Sequence, residues 1–538
     1  MLNETRSLKL PNIDGLEDAD LVGQLLCYDI YEKDDPAEVE KVLSQIRPGA
    51  LYLVNSTKEK IHMYTDMANK YVRIPVAIVA DVECGPGENM QGLPVMPNAM
   101  AWGACDRPEL IEEAQELTAK MCRLHGIHWA LAPVADINFN FNNPLVGTRA
   151  VSDSPNQVLK MVKAFVRGLQ KNGYMAATLK HFPGDGVDDR NQHFCTTVNS
   201  LSKEEWNSSY GKVYRECIKD GVASVMCAHI AYPAYAGEMD EFGEIPSVLS
   251  KPLMTDLLKG ELGFDGCIIS DAMAMVGTAG RCNLDELALN FINCGGDMVL
   301  FNEPEDHERL LSALNSGVLK RERLLDAVKR VIRVKKQVRL FEDQSIIEKE
   351  IGETQEQLIE KFNKVSDEIA VRSIKTERNY RNILPIRTNE KLKFLCVDVK
   401  DNDKIDSSFI ADELKKRGHE VFVAKNMGHS QLAELSKQYD YVLVNYFFTG
   451  AHGGSNRAGW NHINHFWRGY LLKHPRVIFT AFGDPYKLYE YSFLQTYINA
   501  FSYTEPSQRA FVKILLGEKK ETAKNPITLK GYFTRETD

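Results

Sequence analysis

Short apolar runs alternate with amphipathic stretches along the first 340 residues of the chain. The runs are apolar throughout rather than at alternate residues, which is typical of parallel strands buried on both faces. Between them lie helical patterns such as Pro108–His125, Pro155–Asn172 and Lys251–Leu262. Eight strands are predicted, at Val22–Ile30, Gly49–Asn55, Pro75–Asp81, His128–Ile137, Met175–Phe182, Ser224–Ile230, Gly266–Ala272 and Asp297–Phe301. Eight βα units predict an N-terminal TIM (β/α)8-type barrel, and the strand count favours it over a doubly wound open sheet.

A charge-rich helical pattern and a second set of strands follow the barrel. Further apolar runs begin at 393, 420, 441 and 476, with a weaker one near 495–503, and helical stretches separate them. This alternation predicts a smaller C-terminal α/β domain with an open parallel sheet. We therefore expect a barrel domain at 1–342, a helical linker at 343–390 and the open-sheet domain at 391–538.

Composition narrows the class of protein. The 538 residues are 44% hydrophobic and 26% charged, with a formal net charge of −9, which disfavours nucleic acid or an anionic membrane as partner. No apolar run approaches the roughly 20 residues that span a bilayer, and the N-terminus lacks the pattern of a signal peptide. The 11 cysteines are scattered, without CxxC or zinc spacing. We expect a cytoplasmic protein that needs no metal or cofactor.

Polar residues end five of the predicted strands. They are Asp81, Asp136, Lys180 with His181, His229 and Asp271. The carboxyl ends of barrel strands share one rim, where active sites of this fold lie. A single Asp after a strand is commonly a helix cap, but five strands that end this way favour a functional rim.

The stretch LKHFPGDGVDDRNQHF, residues 179–194, is the densest chemical signal. Its proline and two glycines continue neither strand nor helix, so the strand that ends at Lys180-His181 leads into an irregular loop. A long polar loop at a barrel rim is a common place for a mobile catalytic group.

These motifs resemble glycoside hydrolase family 3, and within it the bacterial β-N-acetylglucosaminidase branch. The branch's K-H-F-P-G-x-G loop, its Asp-x-His and its S-D-x-x-x-M read here as residues 180–186, 191–193 and 270–275. Its D-x-E corresponds to Asp81-Val-Glu83, and NPLVGTR ends at Arg149. The stretches AFGDPYKLYEY and AFSYTEPSQRAFVKILLGE resemble the family's second domain, so the resemblance covers almost the whole chain.

The resemblance implies a retaining exo-glycosidase with Asp271 as nucleophile and the loop residue His193 as general acid/base. Imidazole suits the second role because its unperturbed pKa of about 6.5 lies close to working pH. The resemblance also implies that Asp81, Arg149, Lys180 and His181 hold a carbohydrate substrate. An internal ion pair of Lys180 or Arg149 with Asp81 or Asp136 is the alternative, and both roles are compatible.

The chain also departs from the family. Asn191 replaces the Asp that orients the histidine; an amide accepts the ring's hydrogen bond but does not stabilise an imidazolium by charge. Asp188 or Asp189 is the alternative source of that charge. Cys84 replaces a glycine, Asn89 stands where a substrate-binding Arg is expected, and Asp185 stands where the branch commonly has His.

Hydrolysis of terminal β-linked N-acetylglucosamine is therefore the leading hypothesis, and three alternatives remain open. The departures at substrate contacts leave a β-glucosidase possible. A neutral acid/base lets anionic phosphate approach a glycosyl-enzyme, which leaves a glycoside phosphorylase possible. Asn191 leaves a catalytically weakened sugar-binding homologue possible.

Two features of the second domain have competing interpretations. Glu490 could be mistaken for the acid/base that the β-glucosidase branch takes from this domain, but we interpret it as a helical surface glutamate. The segment 449–462 contains His452, Arg457 and Trp460. It is either an ordinary loop or one that reaches the barrel rim and contacts the aglycone.

Overall fold

The computed structural model describes residues 12–387, 389–425, 427–448 and 469–538. These residues form two compact units. The first contains the described residues up to Pro94 together with Ile111–Asp136 and Val162–Phe362, and the second contains Val95–Leu110, Ile137–Met161 and Asn363–Asp538. The units are not contiguous in sequence, unlike the predicted domains at 1–342, 343–390 and 391–538, which stay a prediction.

In the first unit, eight parallel strands of the described chain close into a barrel. They are β1 (Leu26–Ile30), β2 (Ala50–Leu53), β3 (Ala77–Ala80), β4 (Trp129–Ala130), β5 (Thr178–Phe182), β6 (Ser224–Cys227), β7 (Cys267–Ser270) and β8 (Val299–Leu300). Ladders join β8-β1-β2-β3-β4 and β5-β6-β7. The bridges Trp129–Ala176 and Ile269–Met298 link β4 to β5 and β7 to β8. Each strand lies inside a predicted run, so the barrel prediction is confirmed.

Helices surround these strands, and their ends follow the sequence signals. Asp35 caps the helix Pro36–Ile46 by accepting from the Ala37 N–H, and Ser202 with Glu205 forms a capping box on Lys203–Ser208. The helices that lie wholly or partly in this unit are Asp18–Gly23, Pro36–Ile46, Lys58–Asn69, Pro108–Leu124, Pro155–Gln170, Lys203–Ser208, Tyr210–Lys219, the π-helix Pro252–Glu261, Val276–Ala279, Leu284–Cys294, Asp306–Asn315, Arg321–Gln337, Gln344–Ile351 and Gln355–Ser373.

The core of the barrel consists of small and large apolar side chains from successive strands. Ala50, Ala77, Trp129 and Ile269 are buried there, and the apolar side of the helix Arg321–Gln337 packs against the same cluster. Because both faces of the strands are covered, every position of β2, β3, β6 and β7 is buried.

The second unit contains one mixed sheet. Its strands are β9 (Lys375–Asn379), β10 (Lys393–Lys400), β11 (Glu420–Ala424), β12 (Tyr441–Phe447), β13 (Val477–Ala481) and β14 (Thr496–Asn499), in the order β9-β14-β13-β12-β10-β11. Apolar clusters cover both faces. Its helices are Ala99–Cys105, Ser408–Lys416, His429–Ser436, Lys487–Glu490 and Glu505–Leu515.

The edge strand β9 differs from the sequence prediction, which expected helical linker throughout 343–390. Helices do occupy Gln344–Ile351 and Gln355–Ser373, but KTERN at 375–379 pairs antiparallel with β14. Its residues are only half-buried and polar, so no apolar run marks them as a strand.

Two further predictions concern this second half of the chain. Glu490 is the half-buried last residue of the helix Lys487–Glu490, in keeping with its interpretation as a helical glutamate. The segment with His452, Arg457 and Trp460 lies outside the described residues.

Among the residues that are described, no helix is both long and apolar enough to cross a bilayer.

Candidate active site

The predicted rim residues sit at the carboxyl ends of the barrel strands. Asp81 directly follows β3, Lys180 and His181 belong to β5, and Asp271 directly follows β7. In a closed parallel barrel these ends share one mouth. Lys180 contacts Asp81, and His181 and Lys180 lie close enough to Asp271 to influence its charge, so these residues come together at that mouth.

Lys180 lies between two carboxylates. Its buried ammonium donates to Asp81 Oδ1 at 2.8 Å and to Glu83 Oε1 at 2.7 Å. The Tyr52 hydroxyl donates to the other Asp81 oxygen at 2.7 Å, and burial together with the Asp81 charge raises the pKa of Tyr52. Lys180 and Asp81 thus form an internal ion pair, which was the alternative to a role in substrate binding and is compatible with that role. The arrangement fixes Asp81 in one orientation while leaving its side chain 32% exposed.

His181 is oriented by the fully buried Asp136. Asp136 Oδ2 lies 2.7 Å from His181 Nδ1, and its Oδ1 accepts the backbone N–H groups of His181 and Asp185. Asp136 therefore ties the His181 ring to the backbone of both His181 and Asp185. With Nδ1 held by Asp136, the ring presents Nε2 as its second polar atom.

Asp271 has the electrostatic character of a carboxylate that stays ionised. Burial acts to raise its pKa, but the polar groups around it together outweigh burial and the net pKa is lowered, with the His181 ring as the largest of these influences. The Ala272 N–H, which donates to Oδ1 at 2.8 Å, and the Lys180 ammonium act in the same direction. A charged carboxylate at the barrel mouth is what a glycosidase nucleophile requires.

His229, at the end of β6, supports the backbone that carries Asp271. Its Nε2 lies 3.1 Å from the Ala272 carbonyl oxygen, and its Nδ1 contacts the Thr278 hydroxyl. Burial lowers the pKa of His229, which favours the neutral ring. His229 thus links the residue after Asp271 to the helix Val276–Ala279.

The loop after β5 places His193 beside Asn191. Asn191 Oδ1 accepts both the His193 backbone N–H at 3.0 Å and the ring Nδ1–H at 2.8 Å. This is the hydrogen bond expected for an amide in the orienting position. The Asn191 Nδ2 is buried, with no hydrogen-bond partner among the described residues.

Close packing fixes the start of this loop. Gly184 has a φ of +126°, and a Cβ there would lie 2.3 Å from the Tyr210 ring. The Tyr210 hydroxyl donates to the Asp185 carbonyl oxygen, and the Asp185 N–H bonds to Asp136. Only glycine fits at 184, because the backbone there is left-handed and the ring leaves no room.

Asp188 and Asp189, the loop carboxylates predicted as alternative sources of negative charge for His193, have different surroundings from each other. Asp188 pairs with Arg190 at 2.6 Å and accepts the Val198 N–H. Burial acts to raise the pKa of Asp188, but these contacts lower it overall. Asp189 is exposed. The charge of Asp188 is therefore balanced by Arg190 inside the loop.

One predicted site residue, Arg149, lies outside the barrel unit, and two residues of the barrel unit that contact the site, Tyr52 and Gln192, had no prediction from the sequence. Arg149 lies in the second unit, in the turn Gly147–Arg149, and its role stays a prediction. Tyr52 and Gln192, whose Oε1 accepts the His229 N–H, were missed. A polar group at the end of an apolar strand was the available signal for Tyr52. Among the described residues, no three His, Cys, Asp or Glu side chains are grouped as a metal site.

Two known proteins have sequences similar to that of this chain. A β-N-acetylglucosaminidase/β-glucosidase from Cellulomonas fimi is 28% identical over 535 residues, which cover 94% of this chain and 93% of that protein. A β-hexosaminidase from Methylobacillus flagellatus is 29% identical over 258 residues, covering 46% of this chain and 71% of that protein.

Solved structures share the architecture. A β-glucoside phosphorylase bound to 2FGlc superposes with a TM-score of 0.85 at 27% identity, over 96% of this chain and 95% of that one. A family 3 β-N-acetylglucosaminidase from Paenibacillus sp. superposes with a TM-score of 0.81 at 23% identity, over 96% and 99%. The model of the glycosyl hydrolase family 3 N-terminal domain matches residues 19–334, more than half of the chain. The chain therefore belongs to glycosyl hydrolase family 3.

Proposed function

We propose that the chain is a retaining exo-glycosidase that hydrolyses terminal β-linked N-acetylglucosamine, with Asp271 as nucleophile and His193 as general acid/base. One observation carries the proposal: a rim carboxylate with a lowered pKa and a loop histidine held through Nδ1 belong to the same barrel. The relatives named for β-N-acetylglucosaminidase or β-hexosaminidase activity support the choice of sugar.

The proposed hydrolysis has two steps, formation of a glycosyl-enzyme and its hydrolysis. Asp271 attacks the anomeric carbon while the bond to the leaving oxygen breaks and His193 gives that oxygen a proton. Water then attacks the glycosyl-enzyme and His193, now neutral, takes the water's proton. The sugar leaves with its β configuration, and Asp271 and His193 return to their starting states.

The buried polar pairs would hold the sugar. Lys180 is fixed by Asp81 and Glu83, and His181 is fixed by Asp136, so their polar atoms are preorganised for sugar hydroxyls. A contact from Arg149 stays a prediction that rests on the family resemblance alone.

Phosphorolysis is the second candidate, and Asn191 favours it. The amide holds the His193 ring without adding negative charge, so phosphate meets less repulsion at the glycosyl-enzyme than it would beside a carboxylate. In that case phosphate attacks in place of water and the product is a sugar 1-phosphate. A β-glucosidase remains the third possibility, because Cys84 and Asn89 depart from the family pattern.

One assay separates these candidates. We expect 4-nitrophenol release from the β-N-acetylglucosaminide to exceed release from the β-glucoside, with free sugar as product whether or not phosphate is present. Sugar 1-phosphate that forms only with phosphate would establish the second candidate, and preference for the glucoside would establish the third. If the chain binds sugar but turns over neither glycoside, it is a sugar-binding protein and the proposal of catalysis is wrong.

We also infer a cytoplasmic location. All eleven cysteines are free thiols, and five of them are buried in the barrel unit, which suits a reducing compartment. The five are Cys27, Cys122, Cys217, Cys227 and Cys267. Fractionation of cells that express the untagged chain would test the location.

A further inference from the structure

Arg281, which no motif marks, lies just after the helix Val276–Ala279 with a side chain only 6% exposed. Its guanidinium donates to the Asp240 carboxylate at 2.5 and 3.2 Å, to the carbonyl oxygens of Gly243 and Glu244 at 2.8 and 2.7 Å, and to the Thr196 hydroxyl oxygen at 2.8 Å. Arginine is suited to such a junction because its planar fork presents five donors in fixed directions.

These contacts join three segments of the barrel unit. The first is the loop 191–196, which carries His193. The second is the hairpin formed by Met239–Asp240 and Gly243–Glu244. The third is the segment 272–281 that follows Asp271.

The loop and the segment after Asp271 also touch directly. The Thr196 hydroxyl donates to the Gly277 carbonyl oxygen at 2.7 Å. A Cβ on Gly277 would lie 2.4 Å from the Gln192 carbonyl oxygen, so the two backbones are in close contact. Arg281 reinforces this contact at Thr196, three residues from His193.

We propose that Arg281 is a positioning residue that holds the His193 loop against the segment that follows Asp271, and thereby sets proton donation to the leaving group. The inference rests on the proposed function, because it needs His193 to be the acid. Without the guanidinium, Thr196 keeps only its bond to Gly277 and the hairpin loses its anchor. Misplacement of a reacting group by about 1 Å can cost about 100-fold in rate.

The test uses leaving groups that differ in their need for a proton. 2,4-Dinitrophenolate departs without protonation, whereas phenolate requires it. For Arg281→Met and Thr196→Val, we expect kcat/KM on the phenyl glycoside to fall about 10- to 100-fold and on the 2,4-dinitrophenyl glycoside less than about 3-fold. Arg281→Lys should recover part of the loss. Arg309→Met, which removes a guanidinium paired with Asp285, Glu303 and Asp306, should leave both rates unchanged.

His193→Ala distinguishes failure of this inference from failure of the proposed function. If His193→Ala loses activity equally on both glycosides, His193 is not the acid and the proposed function is wrong. If His193→Ala shows the leaving-group dependence but folded Arg281→Met and Thr196→Val do not, the positioning role is wrong. Should Arg281→Met fail to fold, Arg281→Lys decides, because it keeps a cation beside Asp240 but cannot also bond Thr196, Gly243 and Glu244: a partial loss confined to the phenyl glycoside supports the role, and unchanged rates on both glycosides overturn it.

Discussion

The His193 ring donates through Nδ1 to the side-chain oxygen of Asn191 at 2.8 Å. The bond identifies Nδ1 as the ring nitrogen that carries the hydrogen in the neutral ring, so the proposed acid–base chemistry is assigned to Nε2. Since the acceptor is an amide, the pair has the geometry of a histidine–carboxylate dyad without its negative charge. In the proposed mechanism the His193 imidazolium gives its proton to the leaving oxygen, and beside this amide it is less stabilised than it would be beside aspartate.

Asn191→Asp should increase hydrolysis. The carboxylate would keep the hydrogen bond and stabilise imidazolium, so we expect kcat/KM on the phenyl glycoside to rise about 10-fold or more, given that the reverse change in a serine-protease dyad costs about 10⁴-fold. The activity should also extend to higher pH, as measured by the pH profile of kcat/KM.

Asn283→Asp is the control for this change. Asn283 caps the helix Leu284–Cys294, and aspartate serves equally well as a cap, so its rates should match the wild type. An unchanged or lower rate for Asn191→Asp would mean that His193 does not depend on a charged partner at this position.

Gly277→Ala should disturb the His193 loop from the opposite side. The added methyl group would meet the Gln192 carbonyl oxygen at 2.4 Å, and backbone must move to relieve the clash. We expect a fall of about 100-fold in kcat/KM on the phenyl glycoside. Gly260→Ala adds a methyl group at an exposed helical site, 3.4 Å from its nearest neighbour, and should be neutral. Equal activity in the two variants would show that the contact at Gly277 does not position the loop.

Tyr52→Phe should weaken substrate binding at Asp81. The variant loses the hydroxyl that donates to Asp81 Oδ2, a bond to a charged group worth about 1.5–3 kcal/mol, so kcat/KM should fall about 10-fold or more. Tyr235→Phe removes an equally short bond to the exposed Glu261 and serves as the matched control. If both variants behave alike, Tyr52 does not orient Asp81 for substrate.

Lys335 should make stability depend on pH. Its ammonium is fully buried, donating to the oxygens of Gln24 and Pro75, and burial lowers its pKa to about 7. In the unfolded chain its pKa is about 10.4, so between pH 7 and 8.5 the unfolded chain binds more protons and stability rises with pH, by up to about 1.4 kcal/mol per pH unit.

Thermal unfolding between pH 7 and 8.5 measures this effect. Lys335→Met should show a flatter dependence of Tm on pH than the wild type. The control is Lys336→Met, which changes an exposed neighbouring lysine and should leave the slope of Tm against pH unchanged. A slope that persists in Lys335→Met would show that Lys335 is not the group that titrates.

The barrel was predictable because its strands are continuous apolar runs that end in polar residues. A parallel strand buried on both faces leaves that signal in local sequence, as at the strand before Asp271. The edge strand Lys375–Asn379 leaves no such signal, because it is polar and half-buried and pairs through its backbone. The assignment of 95–110 and 137–161 to the second unit also depends on long-range packing that no local pattern records.

The site was predictable only in part for the same reason. Asp81, Lys180, His181 and Asp271 end strands, so their shared rim follows from the barrel. The partners Asp136–His181 and Lys180–Glu83 depend on which side chains meet across the mouth, which spacing alone does not specify. Arg281 joins segments 85 and about 40 residues away along the chain, so its role is visible only in three dimensions.

The most direct test of the central claim is to trap the glycosyl-enzyme. The protein is incubated with 5-fluoro-β-N-acetylglucosaminyl fluoride, digested, and its peptides are analysed by mass spectrometry. We predict one added fluorosugar, located on Asp271, and no label in Asp271→Asn. Labelling of another carboxylate, or rapid turnover in Asp271→Asn without any trapped species, would contradict the account.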